Sequence, residues 1–196
     1  MAEYVVEFGK DGSRVEPDGR LDAAAFHRNH QAIWAVLQPF LAGKSGDVVE
    51  AGSGTGQHVV EFARHTPDIT WWPSDLNAQH LKSIAAWQAH AGLANVRAPL
   101  RIDLSDPAWC AEMQDGSGPS KLLAVFCANV IHIAPWRVAE GLFAGAGRYL
   151  HDLLTAQSCR RALPRNRAWN RCGLRLRWYL ATYPLRRRVS SARSVG

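Results

Sequence analysis

The sequence is poor in cysteine and contains no long apolar run. Its four cysteines are widely spaced, and none belongs to a C-x-x-C pair or to a His/Cys grouping with the spacing of metal ligands. These absences argue against a disulfide framework and against a zinc site. No stretch of about 18 apolar residues occurs, and the N-terminus, with Glu3, Glu7 and Asp11, lacks the basic-then-apolar order of a signal peptide. We therefore expect a cytoplasmic protein that neither enters a membrane nor holds a metal.

Two common nucleotide-binding motifs are missing as well. The Gly-Lys-Ser/Thr ending of the phosphate loop occurs nowhere in the chain. The dinucleotide motif G-x-G-x-x-G requires a glycine three residues after Gly54, and that position holds Gln57. A nucleotide-type ligand would therefore have to be held by a different glycine pattern.

Such a pattern lies in residues 48–56, with a predicted buried strand at its start and a predicted helix with an apolar face after it. Glycines at alternate positions, Gly52, Gly54 and Gly56, let the backbone turn sharply and bring its N–H groups against a ligand, where the positive end of the helix also favours negative charge. Glu50 lies two residues before the first glycine. A nucleotide-type cradle is the favoured interpretation, and an ordinary strand-to-helix turn is the alternative.

Two further predicted strands carry acids at or near their ends. Residues 69–75 predict a strand that ends in Asp75, and residues 96–104 predict one with Asp103 near its end. Helices separate the predicted strands, and the apolar run 122–131 suits a central parallel strand covered on both faces. This alternation is typical of an α/β, Rossmann-like, doubly wound and mostly parallel sheet, whose ligands bind beyond the carboxyl ends of the strands.

The positions of the two acids suggest their roles. Asp75 lies 19 residues after Gly56, an interval that one helix and one strand occupy, so its carboxylate can accept hydrogen bonds from both hydroxyls of a ribose. A surface aspartate unrelated to any ligand is the alternative. Asp103 can contact a ligand or cap the short helix that Pro107 is predicted to begin. Asp106 is the better cap, which leaves Asp103 freer for the ligand.

Taken together, these motifs resemble those of a known enzyme class. The pattern Glu50-x-Gly52-x-Gly54-x-Gly56 resembles motif I of the class I S-adenosylmethionine-dependent methyltransferases. Over about residues 22–150 the chain looks like the methyltransferase-like protein 26 family. The motifs that carry this likeness are Arg28-Asn29, residues 50–58, Trp72-Pro73-Ser74-Asp75, residues 129–136 and residues 141–145. The resemblance implies a Rossmann-like methyltransferase domain whose methyl acceptor is unassigned.

The resemblance also implies how S-adenosylmethionine would be held. The glycine turn would wrap the amino-acid end of the cofactor, and Glu50 would help to hold the loop and the ammonium group. Asp103 would bind the adenine amino group, as acids at this position do in similar methyltransferases. The candidate cofactor-binding residues are Glu50, Gly52, Ser53, Gly54, Thr55, Gly56, Asp75, Asp103 and Asn129.

Five polar or aromatic residues are candidates for binding or activating the substrate that accepts the methyl group. His132 follows a predicted strand and could act as a general base, although a core histidine bonded to a backbone carbonyl is the alternative. Asn129 could hold the acceptor or the cofactor, or cap the strand end. Trp136 could line the acceptor pocket, or it could only pack against neighbouring side chains. Arg28 and Asn29 lie on a predicted helix before the first strand of the cradle and are candidate lid residues that contact substrate, with a solvated helix face as the alternative.

The charge of the chain changes sign near its end. Residues 1–150 carry 12 Lys and Arg against 16 Asp and Glu, whereas residues 151–196 carry 11 Arg against one Asp. The family resemblance also stops near residue 150, where a fifth strand is expected, so the sheet is predicted to be incomplete on that side. The sequence therefore predicts an S-adenosylmethionine-binding Rossmann-like domain at 1–150 and an Arg-rich atypical tail at 151–196.

The leading functional hypothesis is a methyltransferase that acts on a small molecule. Residues 129–132 lack the Asn/Asp-Pro-Pro-Tyr/Phe group typical of enzymes that methylate adenine amines or glutamine amides, which argues against that class. The divergent C-terminal part leaves an inactive variant as an open alternative. A different class is also open, because arginines interleaved with aromatic residues in the tail suit a non-catalytic protein that binds nucleic acid or another anionic partner. The sequence does not decide the oligomeric state.

Overall fold

The computed structural model describes residues 14–110, 118–119 and 122–154. From position 155 onward the predicted tail, with its proposed nucleic-acid contacts, lies outside the described residues. The helices and strands are, in chain order, β1 (Arg14–Val15), β2 (Leu21–Asp22), α1 (Ala24–Leu41), β3 (Gly46–Ala51), α2 (Gln57–Arg64), β4 (Ile69–Asp75), α3 (Ala78–Ala91), β5 (Leu100–Arg101), β6 (Leu122–Phe126) and α4 (Trp136–Leu154). Across these ranges, no helix combines the length and the apolar character needed to cross a membrane.

Four strands form a parallel sheet in the order β5-β4-β3-β6. β3 pairs with β4 from Gly46 opposite Ile69 to Ala51 opposite Ser74, and it pairs with β6 on its other side. Because the strands are parallel, their carboxyl ends lie at one edge of the sheet, where ligands bind in open α/β sheets. We call this edge the carboxyl edge.

Apolar side chains cover both faces of the sheet. Val48 belongs to a core that includes Phe62 of α2 and apolar side chains of α1 and α3. The next residue, Val49, belongs to a second core that includes Leu142 of α4. Successive side chains of a strand point to opposite faces, so helices pack on both sides of the sheet. The arrangement confirms the predicted α/β, Rossmann-like, doubly wound and mostly parallel sheet.

The strand predicted at residues 96–104 is much shorter in the structure. This segment forms one isolated bridge to Trp71 and the two-residue strand β5. Trp71 and Asp75 both bond to the segment through their backbones, and Pro73 lies between them on the same side of β4. Because proline has no N–H to donate, the ladder is interrupted there and resumes opposite Ser74 and Asp75.

The apolar run 122–131 forms a strand only as far as Phe126. Further on, Asn129 has a left-handed backbone with φ +58°, a conformation that a regular strand does not contain. β6 pairs with β3, and it is the last strand on its side of the sheet within the described ranges. As far as the structure describes the chain, the sheet ends at β6. The residues that would hold further strands after α4 lie outside the described ones.

Residues 1 to about 20 are polar with scattered Gly and Pro, a composition that predicts a loose segment. The part of this segment that the structure describes contains regular structure. β1 and β2 pair as a short antiparallel ladder. Leu21 is buried, its N–H donates to Ser83 Oγ at 2.9 Å, and its carbonyl accepts from Trp87 Nε1 at 2.9 Å. Both partners lie on α3, so the N-terminal ladder is fastened to the helix layer that covers one face of the sheet.

Two glycines of α4 allow a loop to pack closely against the helix. A Cβ atom at Gly141 would overlap the carbonyl oxygen of Leu104, and a Cβ atom at Gly145 would overlap the ring of Trp109. Trp109 Nε1 donates to the Gly141 carbonyl at 3.0 Å. Packing therefore explains these two glycines, which lie one helical turn apart in the motif at residues 141–145.

Candidate ligand-binding site

The turn between β3 and α2 contains three glycines with left-handed backbones. Gly52, Gly54 and Gly56 have φ values of +73°, +57° and +91°. A Cβ atom at Gly52 would lie 2.5 Å from Val130 Cγ2, and one at Gly56 would lie 2.9 Å from the Cα of Ile84. A Cβ atom at Gly54 would meet nothing within 4 Å in the described part of the chain. The turn is packed at both ends and open at Gly54, where a ligand can approach the backbone.

Asp75 holds the open part of this turn. Its Oδ2 accepts a hydrogen bond from the Gly54 N–H at 2.9 Å, and its Oδ1 accepts one from the Asn77 N–H at 2.9 Å. His80 Nδ1 of α3 lies 3.3 Å from the same Oδ2. A carboxylate offers about four acceptor positions, so Asp75 can fix the turn and still accept hydrogen bonds from a ligand.

Glu50 is a buried acid directly before the turn. Only 3% of the residue is exposed, and its Oε2 has no hydrogen-bond partner among the described residues. Burial raises the pKa of Glu50 to about 8, while a hydrogen bond with Ser53 lowers it and the Asp75 carboxylate raises it. A buried acceptor without a partner is unfavourable, so this atom points to a group that a ligand satisfies.

The two hydroxyl groups of the turn are used inside the fold. Ser53 Oγ donates to the backbone carbonyl of Glu50 at 3.2 Å and accepts from the Ser74 N–H at 3.0 Å. Thr55 Oγ1 donates to Gln57 Oε1 at 3.0 Å. Both residues are buried. Their side chains shape the turn, so the cofactor contacts predicted for Ser53 and Thr55 would be made through the backbone.

Gln57, which is absent from the predicted site residues, links the turn to the N-terminal segment. Its side chain is buried at the start of α2, and Oε1 also accepts from the Ala23 N–H at 2.7 Å. Its Nε2 donates to Asp22 Oδ1 at 2.7 Å. The available signal was its position, since a long polar side chain directly after a glycine turn can reach neighbouring loops.

The predicted lid residues lie on α1. Asn29 Oδ1 is 2.9 Å from Nε2 of His58 on α2, and Arg28 is exposed. Burial lowers the pKa of His58 to about 4, and nearby His30 lowers it as well, so the neutral imidazole donates to the Asn29 amide. Asn29 therefore holds α1 against the beginning of α2, next to the glycine turn.

Asp103 follows β5 at the carboxyl edge and is exposed. Its Oδ1 accepts from the N–H of Ser105 at 2.8 Å and from the Ser105 hydroxyl at 2.7 Å. Asp106, the predicted cap, accepts from the Ala108 N–H at 2.8 Å. Residues 104–110 form turns, and the residues over which the predicted short helix would continue lie outside the described ones. Asp103 thus makes a local turn contact like that of Asp106, through one of its two carboxylate oxygens.

The loop after β6 brings the remaining candidates to the same edge. Asn129 and His132 are exposed, and Trp136, the first residue of α4, is 70% exposed. The alternative of a core histidine at position 132 is therefore wrong. Val130 of this loop lies against Gly52, which places the loop beside the glycine turn.

Large apolar side chains are also exposed along this edge. Leu76, directly after β4, is 47% exposed, and Ile133, in the loop after β6, is 40% exposed. Apolar side chains around a few polar groups are typical of small-molecule sites. Leu76 is not among the predicted site residues, although an apolar residue directly after a strand-terminal acid is a recognisable signal.

The structure brings Glu50, Asp75 and the glycine turn together and places the other candidates of the sheet edge around them. Asp103 lies on the β5 side, whereas Asn129, His132 and Trp136 lie on the β6 side. The charged centre of the site is acidic and is lined by backbone groups of the turn. Such a site suits a ligand that carries a cationic N–H group and further hydrogen-bond donors.

Residues 20–156 match the protein family described as Protein of unknown function (DUF938). The chain belongs to the DUF938 family. The matched range contains every candidate residue from Arg28 to Trp136 and all described elements from β2 to α4. The candidate ligand site therefore lies in the DUF938 part of the chain.

Proposed function

We propose that the carboxyl edge of this DUF938 protein binds S-adenosylmethionine and that the protein transfers its methyl group to a small molecule. The observation that carries the proposal is the buried carboxyl group of Glu50, whose Oε2 is without a partner among the described residues, before a turn that is open at Gly54. A cationic N–H donor would satisfy this acceptor, and the amino-acid end of S-adenosylmethionine carries an ammonium group.

The other parts of the site fit the remaining groups of this cofactor. Asp75 has acceptor capacity for ribose hydroxyls, and the second carboxylate oxygen of Asp103 can accept from the adenine amino group. The positive end of α2 suits the cofactor carboxylate. The exposed side chain of Leu76 offers an apolar surface to the adenine ring. The sequence resemblance to class I methyltransferases supports the same assignment.

The chemistry needed from the protein is positioning and proton removal. When bound, S-adenosylmethionine supplies an electrophilic methyl group on a sulfonium. The exposed imidazole of His132 can take a proton from the acceptor, and the Asn129 amide can orient the acceptor. Trp136 can cover its apolar part. These side chains fit a small organic acceptor that has an apolar portion and an ionisable nucleophile.

Calorimetric titration of S-adenosylmethionine into the full-length protein tests the binding step. A matched pair of variants makes the test specific, because Asp103 and Asp106 are both exposed acids that accept from a backbone N–H two residues ahead. We expect Asp103→Asn to weaken binding by about tenfold, the loss of one charge-assisted hydrogen bond, and Asp106→Asn to leave it unchanged. A folded wild-type protein that does not bind would overturn the proposal.

Methyl transfer requires a separate measurement, the formation of S-adenosylhomocysteine in the presence of candidate acceptors. We expect His132→Gln to lower kcat by about a hundredfold while cofactor affinity stays unchanged, because a general base acts in the reaction step. An unchanged kcat in this variant would remove the proposed role of His132.

A further inference from the structure

Burial and a neighbouring acid oppose a negative charge on Glu50, whereas its hydrogen bond with Ser53 favours one. Asp75 approaches from the end of β4 and is itself an acid. Cys127 approaches from the end of β6, and burial together with Glu50 raises the pKa of its thiol to about 12. His80 of α3 contacts Asp75 at 3.3 Å. Asp47, the other buried acid of β3, lies near the opposite end of the strand and accepts from Trp72 Nε1 at 2.9 Å.

These neighbours make the neutral carboxyl group the stable form of Glu50 near neutral pH. Its desolvation disfavours the carboxylate, and the acid on the adjacent strand disfavours it further. A cation placed at Oε2 would reverse this balance, because an opposite charge at hydrogen-bond distance in a buried site favours the ionised form.

We propose that Glu50 exchanges its proton for the ammonium group of the ligand, so that binding at the glycine turn releases one proton to solvent. The O–H bond of the Glu50 carboxyl group breaks, the proton leaves to water, and the carboxylate forms an ion pair with the ammonium. This inference rests on the proposed function and specifies two of its properties, the charge of the recognised group and the pH dependence of binding.

The exchange makes affinity depend on pH in a defined direction. Below a pH of about 8 the ligand must displace a bound proton. Its affinity therefore increases by roughly tenfold for each unit by which the pH is raised, up to the pH at which Glu50 is already ionised in the free protein. A ligand that lacks the ammonium group has no proton to displace, and its affinity stays nearly constant over the same range.

Proton release is measured by calorimetry at pH 7 in two buffers with different ionisation enthalpies, phosphate and Tris. The first probe is S-adenosylhomocysteine, and the second is 5′-methylthioadenosine, which keeps the nucleoside and the thioether but lacks the amino-acid end. From a pKa of about 8 for Glu50 in the free protein, we expect the first probe to release about 0.9 proton per site. We expect the second probe to release none.

Two variants identify the source of the proton. Glu50→Gln keeps the size of the side chain and removes the titration, so S-adenosylhomocysteine should bind more weakly and without proton release. Asp47→Asn changes the other buried acid of β3, away from the carboxyl edge, and should keep the release. The comparison of the two probes on wild-type protein decides the question even where a variant does not fold.

The outcomes separate this inference from the proposed function. Binding of S-adenosylhomocysteine without proton release at pH 7 would overturn the inference and leave the proposed function intact. Equal release with both probes would also overturn it, because the ammonium would then not be responsible. Failure of both probes to bind would overturn the proposed function and the inference with it.

Discussion

Asp75 and Glu50 lie near the ends of neighbouring strands and differ in the hydrogen bonds that their carboxyl groups accept. Asp75 accepts two backbone hydrogen bonds and so fixes the turn at Gly54. Glu50 is buried with an unpartnered oxygen in the described part of the site, an arrangement that weakens the fold unless a ligand is bound. At this scale, one acid fixes the turn and the other is the candidate binding group.

The substitution Glu50→Gln should therefore stabilise the protein without ligand. Because the pKa of Glu50 is raised from 4.5 to about 8, the folded state holds a proton that the unfolded state has lost, and stability falls as pH rises from about 4.5 to 8. An amide does not titrate, so at pH 7 the variant should be more stable by up to roughly 3 kcal/mol. Urea unfolding at pH 5 and pH 7 measures the difference. A variant that is less stable than wild type at both pH values would contradict the expectation.

His58 should make the protein sensitive to acid. Its pKa is lowered from 6.5 to about 4, so the unfolded state takes up the proton first. The stability that depends on neutral His58 is complete above about pH 6.5 and is lost as pH falls towards 4, by about 2 kcal/mol at pH 4.5. Denaturant unfolding of His58→Gln should show a flatter pH dependence in this window, while the exposed control His90→Gln should follow wild type. A parallel pH curve for His58→Gln would rule out this group.

Within the glycine turn, Gly56 is constrained by packing, whereas Gly54 lies at the open side proposed for ligand binding. Gly56→Ala would place a Cβ atom 2.9 Å from the backbone of Ile84, whereas Gly54→Ala would meet no atom within 4 Å in the described part of the chain. We expect Gly54→Ala to cost about 1 kcal/mol of backbone strain and Gly56→Ala roughly 3 kcal/mol.

Binding should follow the opposite order from stability. Gly54→Ala closes the open side of the turn, so it should abolish calorimetric binding of S-adenosylhomocysteine while urea unfolding shows an intact fold. If Gly54→Ala binds like wild type, the open side of the turn is not the ligand site.

The predicted elements differ in how closely they match the structure. The apolar positions Leu81, Ile84 and Trp87, followed by Gly92, predict a helix over about residues 78–91. This helix, α3, forms with those bounds because its boundary signals are local: Asn77 caps its first turn and Gly92 ends it with φ +62°. The strand predicted at 96–104 is shorter, because Pro73 on the neighbouring strand interrupts the pairing. The residue pattern of one segment does not show that the strand beside it lacks an N–H for pairing.

At the scale of the whole molecule, charge is divided along the chain. The part up to residue 150 has an excess of acids, and the part from 151 to 196 carries 11 arginines. The candidate ligand site lies in the acidic part, within the DUF938 match at residues 20–156. Substituting the arginines therefore changes none of the residues of the candidate ligand site.

The alternative activity, binding of nucleic acid or another polyanion, has its own test in the full chain. Neutralising phosphates with arginine makes affinity fall linearly with salt on logarithmic scales. If the tail binds single-stranded DNA, replacing Arg186, Arg187 and Arg188 by Ala should reduce that slope by about 2, while the affinity for S-adenosylhomocysteine stays the same. An unchanged slope, or no DNA binding at low salt, would remove the tail-based alternative.

The sequence by itself determined the order of helices and strands from α1 onward, the glycine turn and the acids near the ends of its strands, because these depend on periodicity and on residues that are adjacent in the chain. Only the tertiary structure decided that the Glu50 oxygen is buried without a partner among the described residues, that Gln57 ties the turn to Asp22 and Ala23, and that Asn29 contacts His58. Each of these depends on burial or on a contact between segments far apart in sequence. The candidate cofactor contacts could therefore be proposed from motifs, whereas the proton on Glu50 followed from the folded environment alone.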